Sequence, residues 1–131
     1  MTGALLLVAC TAACGSYNQR IRGTLRENGE PLPSLPVRFI SAQPEGSCEV
    51  GGLEAVTDST GQFEMSQLYE RSFVENVAVV NHPYRLCVKR NGTWAMIWHE
   101  TTGPAPSSLE LQCVLDKSVP CEASWNGQAS R

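Results

Sequence analysis

The sequence predicts an all-β sandwich, and three observations carry that reading. Eleven glycines and eight prolines punctuate short runs of alternating apolar and polar residues, the pattern of strands separated by turns. Asn91-Gly92 is a strong hairpin signal and Asn28-Gly29 a turn signal, because both residues tolerate the positive φ that tight turns demand. Nothing in the chain supports a long helix. At 131 residues the length suits one domain with one real core.

The elements follow in order. Ile21, Gly23 and Leu25 alternate with Arg22, Thr24 and Arg26, a first strand. Pro31, Pro33 and Pro36 extend the loop after Gly29. Val37 to Ala42 is the next strand, and Gln43 to Gly52 is a loop that carries Cys48. Leu53 to Thr57 leads through the tight turn Asp58-Ser59-Thr60-Gly61 into Gln62 to Leu68, where Phe63 and Met65 share a face. Met65 to Glu75 has room for one short helical turn. Val77 to Val80 is a continuous apolar run, as in a central strand. Tyr84 to Arg90 and Thr93 to Glu100 flank the Asn91-Gly92 hairpin. Thr101 to Ser107 is a Pro-containing loop, and Ser108 to Leu115 closes the set. The tail from Lys117 to Arg131 is polar and expected to be loosely ordered apart from Cys121.

Composition excludes some partners. The net charge is −3 and the Lys and Arg are scattered, so nucleic acid meets no basic footprint. No apolar stretch approaches the roughly 18 residues of a membrane-spanning helix.

Residues 1–19 carry no charge, and Ala4 to Ala9 is a short apolar run followed by small residues. This resembles the apolar and cleavage regions of an export signal without its basic segment. Either the signal is unusual or the true start lies upstream of Met1. Leu7-Val8-Ala9-Cys10 resembles a bacterial lipobox, and Thr11-Ala12-Ala13-Cys14 is a weaker match. Cleavage before Cys14 gives an apolar region of ten residues against six, and an export signal wants about 7–15. It also leaves an even set of four further cysteines. Cys14 is therefore the preferred acylation site and Cys10 the alternative. On this reading residues 1–13 are a signal peptide, 14–19 a linker, 20–116 the sandwich and 117–131 the tail. Neither cysteine is followed by Asp, so the resemblance implies an outer-membrane anchor facing the periplasm, held by three acyl chains.

Cys48, Cys87, Cys113 and Cys121 form no C-x2-C pair and have no adjacent His, so a zinc site is not expected. In an exported chain they read as two disulfides. Of three connectivities, 113–121 with 48–87 is preferred: the first closes a short loop and the second joins a long loop to a strand. Strict alternation puts Cys87 on a polar face with Arg85 and Lys89, and Cys113 on an apolar face with Leu109 and Leu111.

Gly23-Thr24-Leu25, Gly29-Glu30-Pro31-Leu32, Val37 and Ala55-Val56-Thr57-Asp58-Ser59-Thr60-Gly61-Gln62-Phe63 resemble the carboxypeptidase regulatory-like domain. The match spans about residues 20–90. It implies a seven-stranded transthyretin-like Greek-key sandwich, with Asp58 bonding its own turn, Gly61 at positive φ and Phe63 in the core. Ser34-Leu35-Pro36 departs from the small residues usual there. The family is an accessory module without a shared catalytic apparatus, so it implies a fold and not an activity. The C-terminal tyrosine-arginine-glycine-serine signature of a transthyretin-like hydrolase of purine breakdown is absent.

Catalytic candidates are few. His82 precedes Pro83, and His99 sits beside Glu100. Ser41, Ser59 and Ser66 lie in no nucleophile motif, and Asp58 lacks the spaced acidic partners of a calcium loop. No catalytic residue, metal or cofactor is expected. In Thr93-Trp94-Ala95-Met96-Ile97-Trp98-His99, alternation puts Trp94, Met96 and Trp98 on one face, rimmed by Arg85, Lys89 and Arg90. That stretch is either a buried strand or an exposed aromatic platform. The expected function is therefore a non-enzymatic lipoprotein binding another envelope protein or a cell-wall component, with an immunity or inhibitor role as a special case. The alternative is a carbohydrate or peptidoglycan module using Trp94 and Trp98.

Overall fold

A computed structural model describes residues 16–41, 48, 52–70, 83–100, 106–125 and 128–129. Every regular element among them is a strand. They are β1 (Ser16–Glu27), β2 (Glu30–Pro31), β3 (Pro36–Ser41), β4 (Leu53–Val56), β5 (Gln62–Glu70), β6 (Tyr84–Arg90), β7 (Thr93–Glu100), β8 (Ser108–Val114), β9 (Cys121–Trp125) and β10 (Gln128–Ala129). The all-β sandwich expected from the sequence is what forms.

The first sheet runs β10-β9-β8-β1-β2, and β5 also pairs with β1. Strand β1 is its spine, antiparallel to β5 from Ser16 to Thr24 and parallel to β8 from Arg20 to Arg26. The second sheet runs β4-β3-β6-β7, antiparallel throughout. Alternation does the sorting. Ile21 and Leu25 point inward while Arg20, Arg22 and Arg26 face solvent; Phe63 and Met65 are buried while Gln62, Glu64 and Ser66 are exposed. Val37, Phe39, Leu86 and Val88 of the second sheet meet Ile21, Leu25, Leu109, Leu111 and Ala123 of the first in one core. Each such side chain contributes about 1.5–3 kcal/mol by leaving water.

Two glycines are dictated by this packing. A Cβ on Gly23 would stand 2.6 Å from the Phe63 ring, its antiparallel partner, and 2.5 Å from the Leu111 carbonyl oxygen. Gly61 has φ +79°, and its Cβ would stand 2.5 Å from the Leu25 carbonyl oxygen. The Leu25 amide donates to the Gly61 carbonyl at 2.8 Å, and the Leu32 amide to the Leu25 carbonyl at 3.0 Å. The Asp58 turn and the Pro31 loop therefore close on the same stretch of β1. Thr57 locks them together: its hydroxyl donates to the Leu32 carbonyl and accepts from the Leu35 amide. Ser34, where the family resemblance departs, takes φ +57°.

Asn28-Gly29 and Asn91-Gly92 both have two successive positive φ values, so both hairpins turn as their sequence predicts. Other expectations are corrected. Strand β1 reaches back to Ser16, so residues 16–19 belong to the sandwich rather than to a linker. Of the segment Met65 to Glu75, where a short helical turn is expected, Met65 to Glu70 continues as strand and residues 71–75 lie outside the described residues. Part of the tail expected to be loose is strand: Cys121–Trp125 pairs antiparallel with β8 and buries Ala123 in the core. Its alternation, Cys121, Ala123 and Trp125 against Glu122 and Ser124, was the available signal. The expected strand at Val77 to Val80 lies outside the described residues.

Candidate functional site

The bridges are Cys48–Cys87 and Cys113–Cys121, the preferred connectivity. Cys113 and Cys121 are direct partners on β8 and β9 and face the core. Cys87 lies on the face of β6 shared with Arg85 and Lys89, as alternation demands. That face is not solvated at Cys87, which is 0% exposed. The second sheet's outer face holds its own small cluster of Ile40, Cys48 and Cys87, with Trp94 packed against it.

Arg38 of β3 organises this surface. It is the register partner of Cys87. Its Nη1 donates to the Cys48 carbonyl at 2.5 Å and its Nη2 to Glu54 Oε1 at 3.2 Å. Its guanidinium carbon stands 4.1 Å from the centroid of the Trp94 ring, and Lys89 Nζ stands 5.9 Å from the same centroid. The Arg38 side chain is only 14% exposed, and its stacking on the indole replaces part of the hydration it gives up. Beside this array Met96 is 51% exposed.

Trp94 and Trp98 do not share a face. The β6–β7 register pairs Leu86 with Trp98, then Cys87 with Met96, so Ile97 is an extra residue on β7. A bulge of this kind reverses the alternation of everything beyond it. Trp94 and Met96 consequently face outward, whereas Trp98 and Ile97 pack against the main core. Strict alternation puts both rings on one face; the bulge separates them, and the Trp94 ring is engaged by Arg38.

His99 is exposed on β7, paired in register with the buried Arg85. His82, Cys10 and Cys14 lie outside the described residues. Ser59 and Ser66 are exposed, and Ser41 is half-buried at the end of β3. Asp58 is a turn residue: its Oδ1 accepts from the Thr60 hydroxyl, the Gln62 amide and the Thr60 amide, and these bonds hold its carboxyl below the usual range. On the first sheet's outer face, Arg22, Thr24, Gln62, Glu64 and Glu110 line a depression of about 430 Å³. Arg20 pairs there with Glu64 at 2.7 Å and lowers that carboxyl. Among the described residues no three His, Cys, Asp or Glu side chains group as metal ligands. No protein-family model, curated protein or solved structure matches the chain.

Proposed function

We propose that this chain is a non-enzymatic lipoprotein, anchored in the outer membrane through Cys14 and facing the periplasm, that binds another envelope protein through the outer face of its second sheet. The observation that carries the reading is the Arg38–Trp94–Met96 surface. It joins a half-buried indole and an exposed Met to a held cation, built over a disulfide, on a face that a solvated sheet would leave polar. Aromatic, Met and Arg side chains are the types enriched where proteins meet. The two disulfides suit an oxidising compartment, and the lipobox-like cysteines suit the anchor. The Asp58 turn, the left-handed Gly61 and the buried Phe63 support a transthyretin-like, carboxypeptidase regulatory-like sandwich as the scaffold.

The carbohydrate alternative is weaker. Sugar platforms use open aromatic faces, while Trp98 packs on the core and Trp94 stacks with Arg38. Placing a photo-cross-linking amino acid at Met96, in cells, tests the choice. The reading expects a discrete protein adduct there and none from the same label at Gln112 on the opposite sheet. Adducts to cell-wall glycan alone would support the alternative, and no adduct at Met96 would overturn the protein reading.

A further inference from the structure

Strand β7 pairs with β6 along one side, and among the described residues no strand pairs with its other side. It is eight residues long, and Thr93 to Trp98 contains no charged residue. Natural sheets protect such edges with Lys, Pro, a bulge or brevity. β4, the opposite edge of this sheet, has four residues, and β2 and β10 have two each. β5, the other long strand with a single partner among the described residues, carries Glu64 and Glu70. Among the described residues β7 keeps only the bulge at Ile97, which leaves Thr93 to Met96 as a regular, uncharged run whose outer backbone edge no described strand pairs.

Resting on the binding role proposed above, we infer that β7 receives an extended strand from its partner, and that this strand carries carboxylates at alternate positions. Main-chain bonds to the open edge supply affinity in such an addition, and side chains at alternate positions supply specificity. The sign of the charge comes from the surface itself. Lys89 is exposed, lies next to Trp94 in the ladder, and has no carboxylate partner among the described residues. Arg38 stands on the same face, and its one carboxylate, Glu54, lies on the far side from β7. A strand laid beside β7 with its acidic side chains on this face reaches toward Lys89 across the Trp94 row. A second copy of this chain is a poorer occupant. Pairing two β7 edges sets two like-charged faces side by side, each with its own Lys89 and Arg38, while Thr93 to Trp98 brings no carboxylate to either.

The test uses the full chain, labelled with nitrogen-15, and three synthetic probes: acetyl-(Glu-Val)4-amide, acetyl-(Lys-Val)4-amide and acetyl-(Glu-Pro)4-amide. In the free chain, every second amide from Thr93 to Met96 is expected to exchange quickly with solvent. The Glu-Val peptide is expected to slow those amides and to bind at least tenfold more tightly than Lys-Val. The Glu-Pro peptide, which lacks alternate donors, is expected not to bind. Lys89→Glu is expected to move the preference at least tenfold toward Lys-Val. Protection of all β7 amides in the free chain would mean that this chain closes its own edge, and would overturn the inference. Protection that rises with protein concentration alone would assign the edge to a second copy and overturn it equally. Equal binding of Glu-Val and Lys-Val would overturn the acidic partner. If no peptide adds while Met96 still gives its protein adduct, strand addition fails and the binding face stands.

Discussion

The guanidinium carbon of Arg38 stands 4.1 Å from the centre of the Trp94 ring, although the two residues sit on strands separated by β6. The indole reaches across β6, over the Cys48–Cys87 bridge, to meet the cation. This contact turns the outer face of the second sheet into a packed layer instead of a solvated one. Its removal is the first prediction. Trp94→Ala exposes Ile40 and the bridge and strips Arg38 of its stacking partner. A loss of roughly 1–3 kcal/mol is expected, the cation–π contact giving up to about 2 of it. Chemical denaturation measures this, and a change within error would mean that the ring is idle in the free protein.

The two bridges should differ in worth. Each pair of cysteines is buried to a similar extent: Cys48 and Cys87 are 7% and 0% exposed, Cys113 and Cys121 are 1% and 6%. Lost packing therefore cancels in the comparison, and loop closure decides. The sequence separations are 39 and 8 residues, for which the chain-entropy relation gives about 4 and about 2.5 kcal/mol. Cys48→Ala/Cys87→Ala is expected to lower the Tm more than Cys113→Ala/Cys121→Ala. The reverse order would show that anchoring β9 to β8 matters more than tethering the long loop.

Gly61 and Gly29 separate two causes of strain. Both have left-handed φ, +79° and +80°. A Cβ at Gly29 meets nothing within 4 Å, whereas one at Gly61 meets the Leu25 carbonyl oxygen at 2.5 Å. Gly29→Ala is expected to cost about 1 kcal/mol, the conformational part alone. Gly61→Ala adds displacement of β1 backbone and is expected to cost roughly 2–4 kcal/mol. Equal costs would mean that the Asp58 turn gives way easily.

Acid should weaken the fold through three carboxylates. Hydrogen bonding to Arg90 depresses Glu27, Thr60 and Gln62 depress Asp58, and Arg20 depresses Glu64. A group whose folded pKa is lowered stabilises the fold above its unfolded value and loses that contribution as pH falls through the folded value. The ordinary values are 4.5 for Glu and 3.8 for Asp. Stability is therefore expected to hold above about pH 4.5 and to fall below it. Glu27→Gln, which removes the bidentate contact of Arg90 between β6 and β1, should flatten that fall. An unchanged acid limb would show that the pair contributes nothing in solution.

The acyl anchor is tested by labelling with a clickable palmitate. Cys14→Ser is expected to abolish labelling and Cys10→Ser to leave it. The opposite result assigns the anchor to the stronger lipobox match, and retention in both variants removes the anchor altogether.

What was legible in the sequence was local chemistry. Asn91-Gly92, Asn28-Gly29 and Asp58 to Gly61 each name their own turn, because only certain residues accept positive φ or bond their own backbone. Ile21, Leu25, Phe63 and Met65 name the core by period two. The site was less legible. An extra residue at Ile97 leaves no mark in a stretch that is apolar on both faces, so Trp98 was assigned to the wrong side of its strand. The burial of Cys87 beside Arg85 was hidden because it depends on Cys48, 39 residues away, being bridged to it. Strand β9 was masked by a polar surrounding sequence; its burial depends on pairing with β8.

A sandwich stapled by two bridges in the proposed oxidising compartment is tested most directly by thiol counting. Protein taken from cells with its thiols trapped at lysis, then unfolded, is expected to show no free sulfhydryl at Cys48, Cys87, Cys113 or Cys121. Four free thiols would contradict both the staples and the periplasmic address.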